Sequence, residues 1–216
     1  MLVDLPYSSV FLDFDGTIST ADIGLHLLER LGAPGWREIS TAYERGEIGS
    51  RECLVDEWAT IDATEAQARA VAAEVPIDPD LAPLVTGLRA AGAEVTVVSD
   101  GFGFYVHEAC DPFGLRVVTN AVDFSTGDLE FPYEDRCCPC STCGVCKQAP
   151  IRDASRAGRE TVLVGDGASD RKAAMLADVV IAKGVLRAWC ETFGIAHHPF
   201  ETLADVRALL LADVAA

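Results

Sequence analysis

The sequence predicts an α/β fold, a doubly wound parallel sheet with a small inserted helical cap. Five short segments rich in Val or Ile, each followed by polar residues or Gly, read as buried parallel strands. Helical patterns separate most of them, which is the alternation of a doubly wound sheet. About eighty residues with no convincing strand lie between the first two strands, far more than an ordinary crossover needs, and this marks an insertion.

The first strand, Val10 to Asp13, runs into Asp13-Phe14-Asp15-Gly16-Thr17. Alternation puts Asp13 and Asp15 on one side, and Gly16 lets the backbone turn directly afterwards. The pattern is not an EF-hand loop, which needs Gly at its sixth position, where this chain has Ile18. In the insertion, Ile23, Leu27, Leu28 and Leu31 make one helical face closed by Gly32. Further helices are expected over Trp36 to Arg45, Arg51 to Thr60 and Glu65 to Glu74, the last with Thr64 and Gln67 at capping-box spacing. The cap is therefore assigned to residues 22–79 and the core to 1–21 and 80–216, with a Cys-rich insert at 137–147. The remaining strands are Glu94 to Ser99, Arg116 to Ala121, Thr161 to Gly165 and Asp178 to Ala182. Core helices are expected over Leu81 to Ala91, Phe102 to Cys110, Gln148 to Ala157 and Ser169 to Ala177. Residues 120–124 and 129–131 flank Ser125-Thr126-Gly127-Asp128 and read as a hairpin.

Half of the 216 residues are hydrophobic, enough for a substantial core. The formal charge of −17 argues against a sequence-independent grip on nucleic acid and against anionic membranes. An anionic substrate would need the few positive groups concentrated locally, by a metal, a Lys or a helix N-terminus. The first ten residues carry no basic segment before an apolar run, and no stretch approaches transmembrane length, so a cytoplasmic location is expected. Oligomeric state is not legible.

Ligands in such folds bind outside the carboxyl ends of the strands, where this chain places its chemistry. Asp13 and Asp15 can hold a metal and attack an electrophile. Ser99, ahead of Asp100 and Gly101, offers a hydroxyl and free amides to a phosphate oxygen. Asp166 and Asp170, in Gly165-Asp166-Gly167-Ala168-Ser169-Asp170, can bring one carboxylate to a cation and hold the other behind it. Lys147, before a helix, supplies the cation that a nucleophilic acid beside phosphate requires.

In order, Asp13 and Asp15, Ser99, Lys147, then Asp166 and Asp170 resemble motifs I to IV of the haloacid dehalogenase (HAD) superfamily, whose core is Rossmann-like. The resemblance implies a Mg2+-dependent phosphatase acting on a small phosphorylated metabolite. It further implies that Asp13 attacks phosphorus, giving a phospho-aspartate, while Asp15 acts as acid and then base. Mg2+ would be held by Asp13, the Asp15 carbonyl and Asp166, with Asp170 orienting a water or Lys147. Ser99, the amides that follow it and Lys147 would neutralise the phosphoryl oxygens.

The cap position is similar to the phosphoserine-phosphatase-like branch. Ser99-Asp100-Gly101-Phe102-Gly103-Phe104-Tyr105-Val106, then the hairpin and Cys-rich segment, resembles methionine-salvage phosphatases acting on 2-hydroxy-3-keto-5-methylthiopentenyl-1-phosphate. The Ser-Asp pair and the cysteines also resemble phosphatases of phosphoethanolamine and phosphocholine. Phosphoserine phosphatases usually carry Gly where this chain has Asp100, and they place a substrate-binding acid where it has Asp22. The two acids, with Gly101, are thus expected to bind substrate and to favour a polar or cationic leaving group.

Five of the eight cysteines, Cys137, Cys138, Cys140, Cys143 and Cys146, cluster in ten residues, and Cys137, Cys140, Cys143 and Cys146 stand at successive Cys-x-x-Cys spacings. Structural Zn2+, a disulfide or redox role, and unliganded thiols all stay open for this cluster. Cys53, Cys110 and Cys190 read as small buried hydrophobes. A phosphomutase and a zinc-stabilised binding protein on the same scaffold are the competing functions. His26, His107, His197 and His198 show no ligand-like spacing with the acids.

Overall fold

The computed structural model describes residues 2–133 and 142–212. Among these, seven strands form one sheet: β1 (Ser8–Leu12), β2 (Glu94–Phe102), β3 (Arg116–Asp123), β4 (Asp128–Glu130), β5 (Glu160–Gly165), β6 (Val179–Ala182) and β7 (His198–Pro199). Their order is β4-β3-β2-β1-β5-β6-β7, and every pairing is parallel except β3 with β4. This is the doubly wound α/β sheet that the alternation predicts, with β1 at its centre.

Strand alternation divides the core in two. Val10, Leu12, Val97, Val162 and Val164 face one layer, built from α5 (Leu81–Ala90), α6 (Gly103–Cys110) and α10 (Leu203–Leu211). Phe11, Val98, Leu163 and Val180 face the other, with α7 (Gln148–Arg156), α8 (Arg171–Ala174) and α9 (Gly184–Phe193). Because both faces are covered, β1 is buried at every residue, Ser8 and Ser9 included, and Val10 to Leu12 read as a continuous apolar run.

Between β1 and β2 stand α1 (Ile23–Leu31), α2 (Trp36–Glu44), α3 (Ser50–Trp58) and α4 (Glu65–Ala72). Their two connections to the sheet run side by side: Thr20 N donates to the Pro76 carbonyl (2.9 Å) and Asp78 N to that of Ile18 (2.9 Å). Thr64 and Gln67 close the capping box at the start of α4. Gly32 ends α1, where a Cβ would collide with the Leu28 carbonyl and Trp36.

Three features differ from the sequence reading. Strand β2 continues beyond Ser99 to Phe102, with a register shift against β3 between Val98 and Phe102, so α6 begins at Gly103. The helix expected from Ser169 is a 3-10 turn over Ala168–Asp170 followed by the short α8. The elements after β6, namely α9, β7 and α10, went unread, although Leu203, Val206 and Leu210 complete the layer against α5. Among the described residues no helix is long and apolar enough to cross a membrane.

Leu84 is fully buried on α5 in this layer. Leu84→Ala is expected to destabilise the chain by about 2–5 kcal/mol, read as a lower urea midpoint at unchanged slope.

Candidate active site

The carboxyl ends of β1, β2 and β5 converge on one acidic cleft. Asp13 directly follows β1, and its N–H donates to the Val164 carbonyl of β5 (2.9 Å). The chain then turns tightly: the amides of Thr17, Ile18 and Ser19 all donate to the Phe14 carbonyl, at 3.1, 2.8 and 3.0 Å. Gly16 holds φ +75°, and a Cβ there would collide with the Asp166 carboxylate. Only glycine satisfies both demands.

Lys147 stands at the N-cap of α7, almost wholly buried. Its Nζ donates to Asp13 Oδ1 (2.6 Å) and Asp170 Oδ1 (2.7 Å). The second oxygen of Asp170 accepts from the amides of Asp166 (3.2 Å) and Gly167 (3.1 Å). Both Asp170 oxygens are therefore engaged by the protein. Thr17 Oγ1 donates to Asp166 Oδ1 (3.0 Å), linking the turn after β1 to the turn after β5.

Asp15 enters a separate set of hydrogen bonds. Its Oδ1 accepts from the Ile23 amide at the start of α1 (3.0 Å). Its Oδ2 accepts from the Tyr105 hydroxyl (3.1 Å) and, more weakly, from Ser99 Oγ (3.4 Å). Ser99 Oγ in turn accepts from the Gly101 amide (2.9 Å). The two acids of the opening motif thus sit in different networks, one against an ammonium and one against hydroxyls.

Burial, and then the charge of Asp170, push the Asp13 carboxyl well up, against the pull of Lys147. Burial and Asp170 likewise raise Asp166 to about 6. Burial and the nearby Asp22 raise Asp15 to about 8. For Lys147, burial works against the charge, but Asp13 and Asp170 outweigh it and hold the ammonium well above the usual lysine range.

Carboxylate oxygens of Asp13, Asp166 and Asp170 lie within 4.8 Å of one another. Three acids face one ammonium, so the donor set suits a further hard cation bound through oxygen. Asp170 is the most heavily engaged of the three, with one ammonium and two amides, so Asp13 and Asp166 are the members best suited to ligate it.

Asp22 caps α1, accepting from Leu25 N (2.8 Å). Asp100 accepts from Val145 N (2.8 Å). Cys137, Cys138 and Cys140 lie outside the described residues, and the zinc expectation turns on them. Of the other two cysteines, Cys143 is approached by Lys172 Nζ (3.5 Å), and the Cys146 amide donates to the Tyr133 carbonyl (3.1 Å). His26 meets Glu74, His107 meets Asp111, and His197 meets the Ile195 carbonyl, all away from the cleft.

Two residues of the cleft escaped the sequence reading. Thr17 carries no role of its own in the sequence motif, and Tyr105 lies within the expected helix from Phe102 to Cys110. A tyrosine on the first turn after the Ser99 strand was the available signal, since a buried Tyr hydroxyl needs a partner.

The profile described as haloacid dehalogenase-like hydrolase matches residues 10–175. A protein named 2-hydroxy-3-keto-5-methylthiopentenyl-1-phosphate phosphatase from Exiguobacterium sp. is 28% identical over 207 residues, covering 93% of this chain and 96% of its own. One of the same name from Brevibacillus brevis is 27% identical over 208 residues, covering 93% and 94%. Among solved structures, a substrate-bound phosphoserine phosphatase superposes with a TM-score of 0.71 at 20% identity, over 92% of this chain and 96% of its own. That likeness supports the fold.

Carboxyls whose folded values are raised hold protons that the unfolded chain has already lost. Asp166 at about 6 and Asp15 at about 8 therefore make the folded metal-free chain less stable as pH rises from the ordinary carboxylate range near 4. Thermal unfolding of the metal-free chain is expected at a higher temperature at about pH 6 than at about pH 8.5, and scanning calorimetry at both checks this.

Proposed function

The chain belongs to the haloacid dehalogenase-like hydrolases, and from that premise we propose that it is a Mg2+-dependent phosphatase of a small phosphomonoester, working through a phospho-aspartate. The observation that carries the reading is the Lys147 ammonium held between Asp13 and Asp170 at the carboxyl edge of the sheet.

Asp13 offers phosphorus the oxygen that Lys147 does not engage. Its attack forms an acyl-phosphate bond and breaks the ester P–O bond. Asp15, raised to about 8, is protonated at neutral pH and can hand its proton to the departing alkoxide. Once ionised, it takes a proton from water as that water attacks phosphorus, which releases phosphate and restores Asp13. Tyr105 keeps the Asp15 carboxyl aimed during both transfers, and substrate draws the weakly held Ser99 hydroxyl away from it. Lys147 and the Ser99 hydroxyl face the charge spread over the phosphoryl oxygens, and such positioned charge supplies most of the catalysis in phosphoryl transfer. Asp13, the Asp15 carbonyl and Asp166 would hold Mg2+, which when bound neutralises phosphoryl charge. Asp170, with both oxygens engaged, fits orienting Lys147.

Helices α1–α4 are read as a cap over the cleft. The relatives' names make a methylthio-pentenyl phosphate of methionine salvage the first substrate to try, since the similarity extends over nearly all of both chains. Asp22 is the acid we assign to the leaving group, a reading supported by its position at the start of α1 and by its effect in raising Asp15.

Asp13→Asn is expected to lower phosphate release by about a thousandfold or more while leaving the fold intact. Magnesium-dependent phosphate release from that substrate and a panel of phosphomonoesters checks this, with chelation abolishing and added Mg2+ restoring activity. Asp166→Asn should remove the rise in unfolding temperature that Mg2+ gives the unaltered chain, measured with and without the ion.

A further inference from the structure

Asp100 looks by position like a substrate contact, one residue beyond Ser99, but its carboxylate is already in use. Its Oδ1 accepts from the amide of Val145 (2.8 Å), two residues before Lys147. The Ser50 hydroxyl, at the first residue of α3, lies beside the same carboxylate and draws its pKa down. Ser50 Oγ also accepts from the amide of Gly144 (3.2 Å), and the Arg51 amide donates to the Thr142 carbonyl (3.0 Å). Behind the carboxylate, the Asp100 carbonyl accepts from Asn120 Nδ2 (2.7 Å), which pins the end of β2 to β3. Gly49 and Gly144 let the backbones close on this node, because a Cβ on Gly49 would collide with Thr142 and one on Gly144 would press on Leu54 and Asn120.

Three parts of the molecule therefore meet at one side chain: the end of β2, the start of α3, and the segment that delivers Lys147. Burial pushes the Asp100 carboxyl up while Lys147 pulls it down, as fits an acid enclosed in a packed joint. A carboxylate left free beside a phosphoryl group would repel it, whereas one engaged by the Val145 amide is spoken for.

We propose that Asp100 is a positioning residue, the carboxylate through which α3 holds the Lys147 segment, so that the seating of the cap and the placement of the ammonium are coupled. The kinetic consequence rests on the phosphatase reading. The mechanical consequence does not.

The test uses the full chain as Ser50→Ala, Asp100→Ala, the double variant and Ser50→Thr. Hydrogen exchange in the metal-free protein reads the joint directly: the Gly144 and Val145 amides are expected to exchange about tenfold faster or more in both single variants. With Mg2+ and p-nitrophenyl phosphate, whose leaving group offers no cation to an acid, each single variant is expected to lose kcat by about tenfold to a hundredfold, with a smaller change in KM. The double variant should be little worse than Asp100→Ala alone, because both remove one joint, and Ser50→Thr should restore kcat. Unchanged exchange in both single variants would overturn the proposal, and so would a loss of kcat in Asp100→Ala with none in Ser50→Ala. Ser50→Ala keeps the test decisive if Asp100→Ala does not fold. An unaltered chain that releases no phosphate from any ester would sink the phosphatase reading, and exchange would then decide the joint on its own.

Discussion

The site is organised around one ammonium. Lys147 has almost no contact with water, and its Nζ joins Asp13 from the turn after β1 to Asp170 from the turn after β5. Three buried charges are expensive to gather unless each is paired and the remaining lone pairs are satisfied. Asp170 meets that condition with its two amide donors, while Asp13 keeps one oxygen outside the bridge. The excess of negative charge that remains is the feature that calls for a metal and an electrophile. An interaction that a purely structural accounting would call wasteful is, on this view, what the chemistry requires.

The rest of the fold serves to bring these groups to one edge. Buried parallel strands end together, and the tight turns after β1 and β5 present acids instead of continuing into the sheet. The Asp15 network faces the inserted helices through the Ile23 amide, and the Lys147 network reaches the same helices through the segment from Thr142 to Val145. Both halves of the site thus answer to the position of α1–α4. The helices between β1 and β2 are thus bonded both to Asp15 and to the segment ahead of Lys147.

Much of this was legible because it is local. The Asp-x-Asp pair at a strand end, the Ser after a Val-rich strand and the Gly-flanked Asp166 each announce a turn at a sheet edge within a few residues. Lys147 needed the joint pattern, since nothing near it in sequence distinguishes it from a surface lysine. What escaped was long-range or short in extent. The Tyr105 hydroxyl meets a carboxylate 90 residues away, and Thr17 meets one 149 residues away, and such pairings leave no periodic trace. Strand β7 spans only two residues, too few for alternation to register. The engagement of Asp100 with Val145 and Ser50 was invisible for the same reason as Tyr105, and its neighbourhood to Ser99 pointed toward substrate instead.

The central claim is that Asp13 carries the phosphoryl group. The direct measurement is to quench the Mg2+-loaded enzyme in acid during turnover, reduce the acyl phosphate to trap its position, and map the altered residue by peptide mass spectrometry. Modification is expected at Asp13 in the unaltered chain and is expected to be absent in Asp13→Asn. Modification at Asp15 or Ser99, or turnover with no trapped acyl phosphate, would contradict it.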